Sequence, residues 1–249
     1  MHTSKESKVA IVTGSSRGIG AAVARRLAAD GYTIVVNYAG NSDAAQVVLE
    51  DIKAQGAQGA AIQADVSIAA QAAALFDQAS TLFGGVDILV NNAGIMQPGL
   101  VSLADTEDAL FDKIIAVNFK GTFNMLRTAA GRLRDGGRIV NFSSSVCKLA
   151  FPGYSVYAAT KSAVETMTNI FAKELRGRNI TVNAVAPGPT ATDLFLNNKT
   201  EEQIEHLSKM PPLERLGQPG DIANAVAFLV GPDGAWVNGQ TIYVNGGII

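Results

Sequence analysis

Short apolar runs alternate along this chain with longer stretches in which apolar residues recur every three or four positions. The short runs read as buried strands: KVAIV at 8–12, TIVVN at 33–37, GAAIQADV at 59–66 and VDILVNNAG at 86–94. GRIVNFSS at 137–144, NITVNAVAPG at 179–188 and QTIYVNGG at 240–247 complete the set. The intervening stretches carry helical periodicity at 21–31, 43–56, 70–84, 108–133, 155–176 and 221–231, with a further loop and helix reaching about Met210. Strands separated by such helices predict right-handed crossovers and a parallel sheet of about seven strands with helices on both faces. The pattern is an α/β, doubly wound arrangement spanning 1–249 as one domain, with a loop and helix insertion at about 189–215. The chain shows neither an internal repeat nor a low-complexity tract.

Between the first strand and its helix lies TGSSRGIG, residues 13–20. Gly14 permits a tight turn, Gly18 lets the backbone approach a pyrophosphate, and Gly20 allows close packing of helix and strand. The helix N-terminus then offers its N–H groups to phosphate. A strand, a glycine loop and a helix in that order predict a Rossmann-type dinucleotide site. Ligands in such sheets sit beyond the carboxyl ends of the strands, and Gly14, Asn91, Ser144 and Pro187 all follow strands there.

Composition narrows the function further. A net charge of −2 with dispersed Lys and Arg provides no basic field for nucleic acid. The single cysteine, Cys147, allows no internal disulfide and reads as a small buried hydrophobe. His2 and His206 have no partners at metal-ligand spacing, so no metal is expected. The first ten residues are polar, and no apolar run reaches the roughly 20 residues that span a membrane. These features predict a cytoplasmic enzyme acting on a small molecule.

Candidate chemistry lies in YAATK. Tyr157 and Lys161 fall four residues apart in a helical run, so phenol and ammonium share one face. A phenol has an ordinary pKa near ~10, and a neighbouring cation is expected to pull it toward the working range. Ser144 lies thirteen residues upstream, between Ser143 and Ser145. Asn118, read alone, fits a polar helix residue as well as a functional one.

These motifs resemble the short-chain dehydrogenase/reductase superfamily in its single-domain form, from about Lys8 to Gly247. TGSSRGIG is similar to the family's glycine loop, NNAG at 91–94 to its motif after the fourth strand, and Pro187-Gly188 to its PG motif. The resemblance implies a catalytic tetrad of Asn118, Ser144, Tyr157 and Lys161. Tyr157 would donate a proton to the carbonyl oxygen, Ser144 would hydrogen-bond that oxygen, and Lys161 would lower the tyrosine pKa and hold the nicotinamide ribose. Asn118 would anchor a water that relays protons from Lys161. Cofactor contacts are implied at Gly14, Ser16, Arg17, Gly18, Ile19, Gly20, Asn37, Tyr38, Asn41, Ser42, Asp65, Val66, Asn92, Ala93, Gly94, Tyr157, Lys161, Pro187, Gly188, Thr190 and Thr192. Asp65 and Val66 would hold the adenine. A homotetramer is also implied.

The end of the second strand, VNYAGNS, has no acid before Asp43, and Arg17 offers a cation to a 2′-phosphate. NADP(H) is therefore the expected cofactor. Met96, Pro98, Val146, Leu149, Phe151, Tyr154, Leu194, Phe195 and Met210 make an apolar substrate pocket that favours a hydrophobic or aromatic ketone or aldehyde, or its secondary alcohol. The alternative within the family is a 3-oxoacyl-(acyl carrier protein) reductase, docking its acidic carrier on Arg134, Arg176 and Arg178. A sugar or polyol dehydrogenase ranks third. The alternative outside catalysis is an NADPH-binding sensor.

Overall fold

The computed structural model describes residues 7–197 and 199–249. The chain runs β1 (Val9–Val12), α1 (Gly18–Ala29), β2 (Thr33–Tyr38), α2 (Ser42–Ala54), β3 (Gly59–Gln63), α3 (Ala69–Phe83) and β4 (Val86–Asn91). It continues through α4 (Asp108–Ile114), a π-helical segment (Ile115–Gly121), α5 (Thr122–Arg132), β5 (Leu133–Phe142) and α6 (Val146–Leu149). It closes with α7 (Ser155–Glu174), β6 (Thr181–Pro187), α8 (Asp193–Leu196), α9 (Glu201–Lys209), α10 (Pro219–Val230) and β7 (Thr241–Val244).

All seven strands pair in parallel in one sheet of order β3-β2-β1-β4-β5-β6-β7. The period-two alternation of strand residues divides the core. Ala10, Val12, Val36, Val90 and Val140 face α1, α2 and α10, where Leu27, Ile52 and Val226 meet them. Val9, Ile11, Val35, Leu89 and Ile139 face the other way, against Leu75 and Phe76 of α3, Met125 of α5 and Ala172 of α7. The strand order reverses direction between β1 and β4, which opens a crevice at their carboxyl ends.

The strands stop earlier than their apolar runs. β4 ends at Asn91 and β5 at Phe142, so NNAG and Ser144 stand in the loops beyond the sheet. The helical run at 108–133 is not uniform. Its middle turns widen into the π segment that carries Asn118, a local geometry common at functional sites. Gly121 closes the segment where a Cβ would lie 2.8 Å from Val66 Cγ2. In the 189–215 insertion, α9 opens with a reciprocal capping box between Thr200 and Gln203, yet neither α8 nor α9 buries a residue.

Phe76 is fully buried among the helices of the second core. Phe76→Ala should therefore lower unfolding stability by roughly 3–5 kcal/mol, measured by urea denaturation.

Candidate active site

The crevice is built from the loop after β1 pressed against the loop after β4. Gly14 takes φ +60°, and a Cβ there would come within 2.9 Å of Ala93 Cα. Asn92 Nδ2 donates to the carbonyls of Thr13 and Gly14 at 3.0 and 3.1 Å. The Thr13 hydroxyl accepts from the N–H groups of Asn92 and Ala93, both at 3.0 Å. A Cβ on Gly20 would sit 2.5 Å from Asn92 Nδ2 and 2.6 Å from Gly14 O. The close approach that Gly20 permits is thus to the glycine loop and Asn92. α1 starts at Gly18 without a side-chain cap, which leaves its first N–H groups directed at the crevice.

A cavity of about 1120 Å³ runs from Arg17 and Ile19 past Asn92, Gly94 and Ser144 to Tyr157, Lys161 and Met210. Arg17, Lys161 and Lys199 line it against a single carboxylate, Glu202, so the cavity favours an anionic ligand. Exposed Arg17 stands at one end, and Pro187, Gly188, Thr190 and Thr192 form part of the wall. The glycine cradle, the uncapped helix start and the excess of cations fit a dinucleotide. Among the described residues no cluster of His, Cys, Asp and Glu could hold a metal.

At the chemical end, Tyr157 and Lys161 project from one face of α7, with the ammonium 5.7 Å from the phenol ring centroid. Lys161 is buried and donates to Phe142 O at 2.8 Å. Ser144 stands beside the Tyr157 phenol and lowers its pKa, while the Ser144 oxygen accepts from Val146 N at 3.3 Å. Burial pushes the Tyr157 phenol up to about 12 against the lowering effect of Ser144, and burial pulls Lys161 down to about 8. The expected descent of the tyrosine is therefore corrected. The ammonium is spent on Phe142 O beside a desolvated ring, so desolvation outweighs it. At neutral pH the phenol keeps its proton and the lysine its charge. That pair is an acid with a cation beside it, suited to protonating an oxygen that gains electrons.

Asn118 is wholly buried, and its amide closes on Ile95, accepting from Ile95 N and donating to Ile95 O, both at 2.8 Å. Its side chain thereby holds the loop after NNAG. It still lies near Lys161: a Cβ on Gly94 would be 3.4 Å from Asn118 Oδ1 and 3.5 Å from Lys161 Nζ.

The residues expected around the adenosine end divide similarly. Asn37 is buried with its amide fully used, accepting from Gly14 N at 3.2 Å and donating to Ile62 O and Ala64 O. It braces β1, β2 and β3 and has no free group for a phosphate. Asn92 likewise spends its side chain on the glycine loop. Asn41 caps α2 through Ala44 N, Ser42 meets Asp43, and Asp65 Oδ1 accepts from Ser67 N and Oγ. Tyr38 packs on the first core and Val66 on the second. Apart from Asn92, these positions, with Gly14, Ser16, Gly18, Gly20 and Ala93, frame the crevice without lining the cavity. Arg17, Ile19, Asn92, Gly94, Ser144, Tyr157, Lys161, Pro187, Gly188, Thr190 and Thr192 do line it.

Comparisons with known proteins agree with this geometry. A family model described as enoyl-(acyl carrier protein) reductase matches residues 14–249. The chain is 46% identical over 254 residues to an NADPH-dependent aldehyde reductase-like protein, chloroplastic, of Arabidopsis thaliana, covering 97% of this chain and 94% of that one. It is 43% identical over 246 residues to the 3-oxoacyl-[acyl-carrier-protein] reductase FabG of Staphylococcus aureus, covering 98% and 99%. A short chain dehydrogenase from Burkholderia cenocepacia, solved in complex with NADP, superposes with a TM-score of 0.91 at 39% identity, covering 97% of each chain. The chain belongs to the short-chain dehydrogenase/reductase family.

All nine apolar residues expected of the substrate pocket in this family member line the cavity. Gln97, Lys199, His206 and Leu207, not singled out among the apolar positions, line it too. It also missed the bond from Ser143 Oγ to Glu165 at 2.6 Å, which ties the end of β5 to α7 beside Ser144. Cys147, expected to be buried, is half-exposed, with Sγ 3.7 Å from Ser143 Oγ. No helix among the described residues is long and apolar enough to cross a membrane.

A lysine whose folded pKa is near 8 carries its charge below that pH and loses it above. kcat/KM for carbonyl reduction should be level up to about pH 8 and then fall by about tenfold per unit. A pH–rate profile from 6 to 10 checks this, and a level profile throughout would remove Lys161 from the charge balance.

Proposed function

We propose that this short-chain dehydrogenase/reductase is an NADP(H)-dependent carbonyl reductase acting on hydrophobic ketones or aldehydes, and reversibly on their secondary alcohols. One observation carries this reading: Tyr157, with Ser144 and Lys161 beside it, lines a cavity walled by Met96, Val146, Leu149, Phe151, Leu194 and Phe195. NADPH, when bound, supplies the hydride. Arg17, Ile19, Gly94, Lys161, Thr190 and Thr192 would hold it. The chain's own groups then handle the oxygen. Ser144 orients the carbonyl and stabilises its developing charge by a hydrogen bond. Tyr157 gives up its proton to that oxygen, and the Lys161 cation offsets the negative charge left on the phenol. Asn118 keeps Ile95 and Gly94 against the site. The insertion at 189–215 serves as the substrate lid.

A 3-oxoacyl-(acyl carrier protein) reductase is the second reading, supported by the 43% identity to the staphylococcal FabG. Its docking patch is weak here. Arg134 pairs with Asp87 and donates to Gly84 O, while Arg178 pairs with Asp135 and reaches the carbonyls of Ala130 and Leu133. A sensor without turnover is disfavoured because the Tyr157–Lys161 pair is intact. A cytoplasmic homotetramer completes the reading. Its supports are exposed apolar residues on α5, α7 and α10 (Phe123, Ile170, Phe228) and Trp236, which is 99% exposed.

Tyr157→Phe should lower turnover by roughly 10²–10⁴-fold and leave NADPH binding intact, read by stopped-flow and by titration of NADPH fluorescence. Unchanged turnover would remove Tyr157 as the acid. Arg17→Ala should cut the preference for NADPH over NADH by about tenfold or more, since it deletes a charge-assisted contact to phosphate. Steady-state rates with both cofactors decide it. Running ketones beside an acetoacetyl thioester in the same assay separates the two enzyme readings.

A further inference from the structure

Gln97 is an expensive residue in its place. It is buried at 5% exposure, and its Oε1 finds no hydrogen-bond partner among the described residues. Leaving a buried acceptor unpaired costs free energy that a leucine or methionine of similar size would not incur. The other half of the amide shows what offsets the cost. Nε2 donates to Gly153 O at 2.8 Å, across 56 residues of chain. Val101 N reaches the same carbonyl at 3.4 Å. Gly153 itself takes φ +84°, and a Cβ there would lie 2.9 Å from Leu100 Cβ and 3.1 Å from Leu100 Cα. The two loops are thus in direct backbone contact, and the shorter of the two bonds to Gly153 O comes from the glutamine.

Both loops line the cavity, as adjoining walls. One carries Met96, Pro98 and Leu100, and the other carries Phe151 and Tyr154. The second wall is aromatic and continues into the reacting phenol. Phe151 and Tyr154 rings stand 6.5 Å apart, and Tyr154 meets Tyr157 edge-on at 6.4 Å. The first wall is pinned at its start by Asn118 on Ile95. Gln97 therefore fixes the spacing between a clamped wall and the aromatic wall, while touching neither Ser144 nor Lys161.

We propose that Gln97 is a positioning residue that fixes the place of the aromatic wall of the substrate cavity and thereby selects carbonyl compounds bearing a flat aryl group over small aliphatic ones. This rests on the carbonyl-reductase reading above. Without the Gln97–Gly153 bond only the longer bond from Val101 N holds Gly153 O, the Phe151–Tyr154 wall shifts, and an aryl group loses its contact there. A small ketone does not reach that wall and is indifferent to it.

The test uses the full chain with NADPH and two substrates, an aryl methyl ketone and a short aliphatic ketone. Gln97→Met keeps the volume and deletes the bond. The ratio of kcat/KM for aryl over aliphatic ketone should fall by about tenfold, through KM of the aryl ketone. kcat for the aliphatic ketone and the NADPH Kd should stay within about twofold. Gly153→Ala attacks the same contact from the other side by displacing Leu100, and should lower the ratio in the same direction. It also decides the matter if Gln97→Met does not fold. An unchanged ratio, or an equal loss on both ketones, overturns the role of Gln97. Wild-type protein that reduces neither ketone overturns the carbonyl-reductase reading itself, and the clamp with it.

Discussion

The structure depends on the contact between the loops that follow β1 and β4. Gly14 has no room for a side chain because Ala93 occupies that space, and the Asn92 amide takes up the two carbonyls that a tight turn would otherwise leave unpaired. Asn37 adds the end of β2 by accepting from Gly14 N. Three strand ends are locked together at the point where the sheet changes direction. From there the order propagates along the chain. Ala93 leads to Gly94, Gly94 to Ile95, and Ile95 is gripped by the amide of Asn118 in the widened turn of the long helix. Polar side chains that could have served as ligand contacts are used to hold backbone, which leaves uncapped N–H groups and flexible cations to face the ligand.

Burial sets the electrostatics of the reacting pair in opposite directions. It raises the phenol of Tyr157 and lowers the ammonium of Lys161, because in each case the charged form is the one that loses water. The outcome at neutral pH is a protonated acid next to a cation, both desolvated. Charge that develops on a carbonyl oxygen there is answered by a proton and a full positive charge without reorganising solvent. The neighbouring Ser144 hydroxyl is the counterweight that keeps the phenol from rising further. A lysine anchored to Phe142 O cannot swing away from the pair, so the i, i+4 spacing on α7 is converted into a fixed arrangement.

Much of this was legible in the residues. Seven apolar runs gave the seven strands in their order, the glycine loop gave the crevice, and the Tyr157–Lys161 spacing with Ser144 gave the chemical end. The nine pocket residues followed from their places beyond strand ends. What escaped has a common cause. Asn37 is an amide, and a sequence cannot say whether an amide faces a ligand or satisfies backbone groups brought near by the fold. The π segment escaped because its composition is that of an ordinary helix, and the widening is fixed by Gly121 meeting Val66 from a distant loop. The pKa of Tyr157 was misjudged because spacing reveals the neighbouring charge but not the loss of water. Gln97 and Glu165 act through partners 56 and 22 residues away, beyond any local pattern.

The two ends of the cavity differ in how they are held. The dinucleotide end is built on strand termini within the rigid core. The substrate end is closed by α8 and α9, which bury no residue of their own although α9 directs Leu207, and Met210 just beyond it, into the cavity. An apolar helix face with so little protein to pack against gains its burial from whatever fills the cavity. A hydrophobic ligand would supply that missing surface, whereas a polar one would leave the apolar face in water. Apolar contacts made there would bind the ligand and at the same time keep water from the Tyr157–Lys161 pair, whose balance depends on burial.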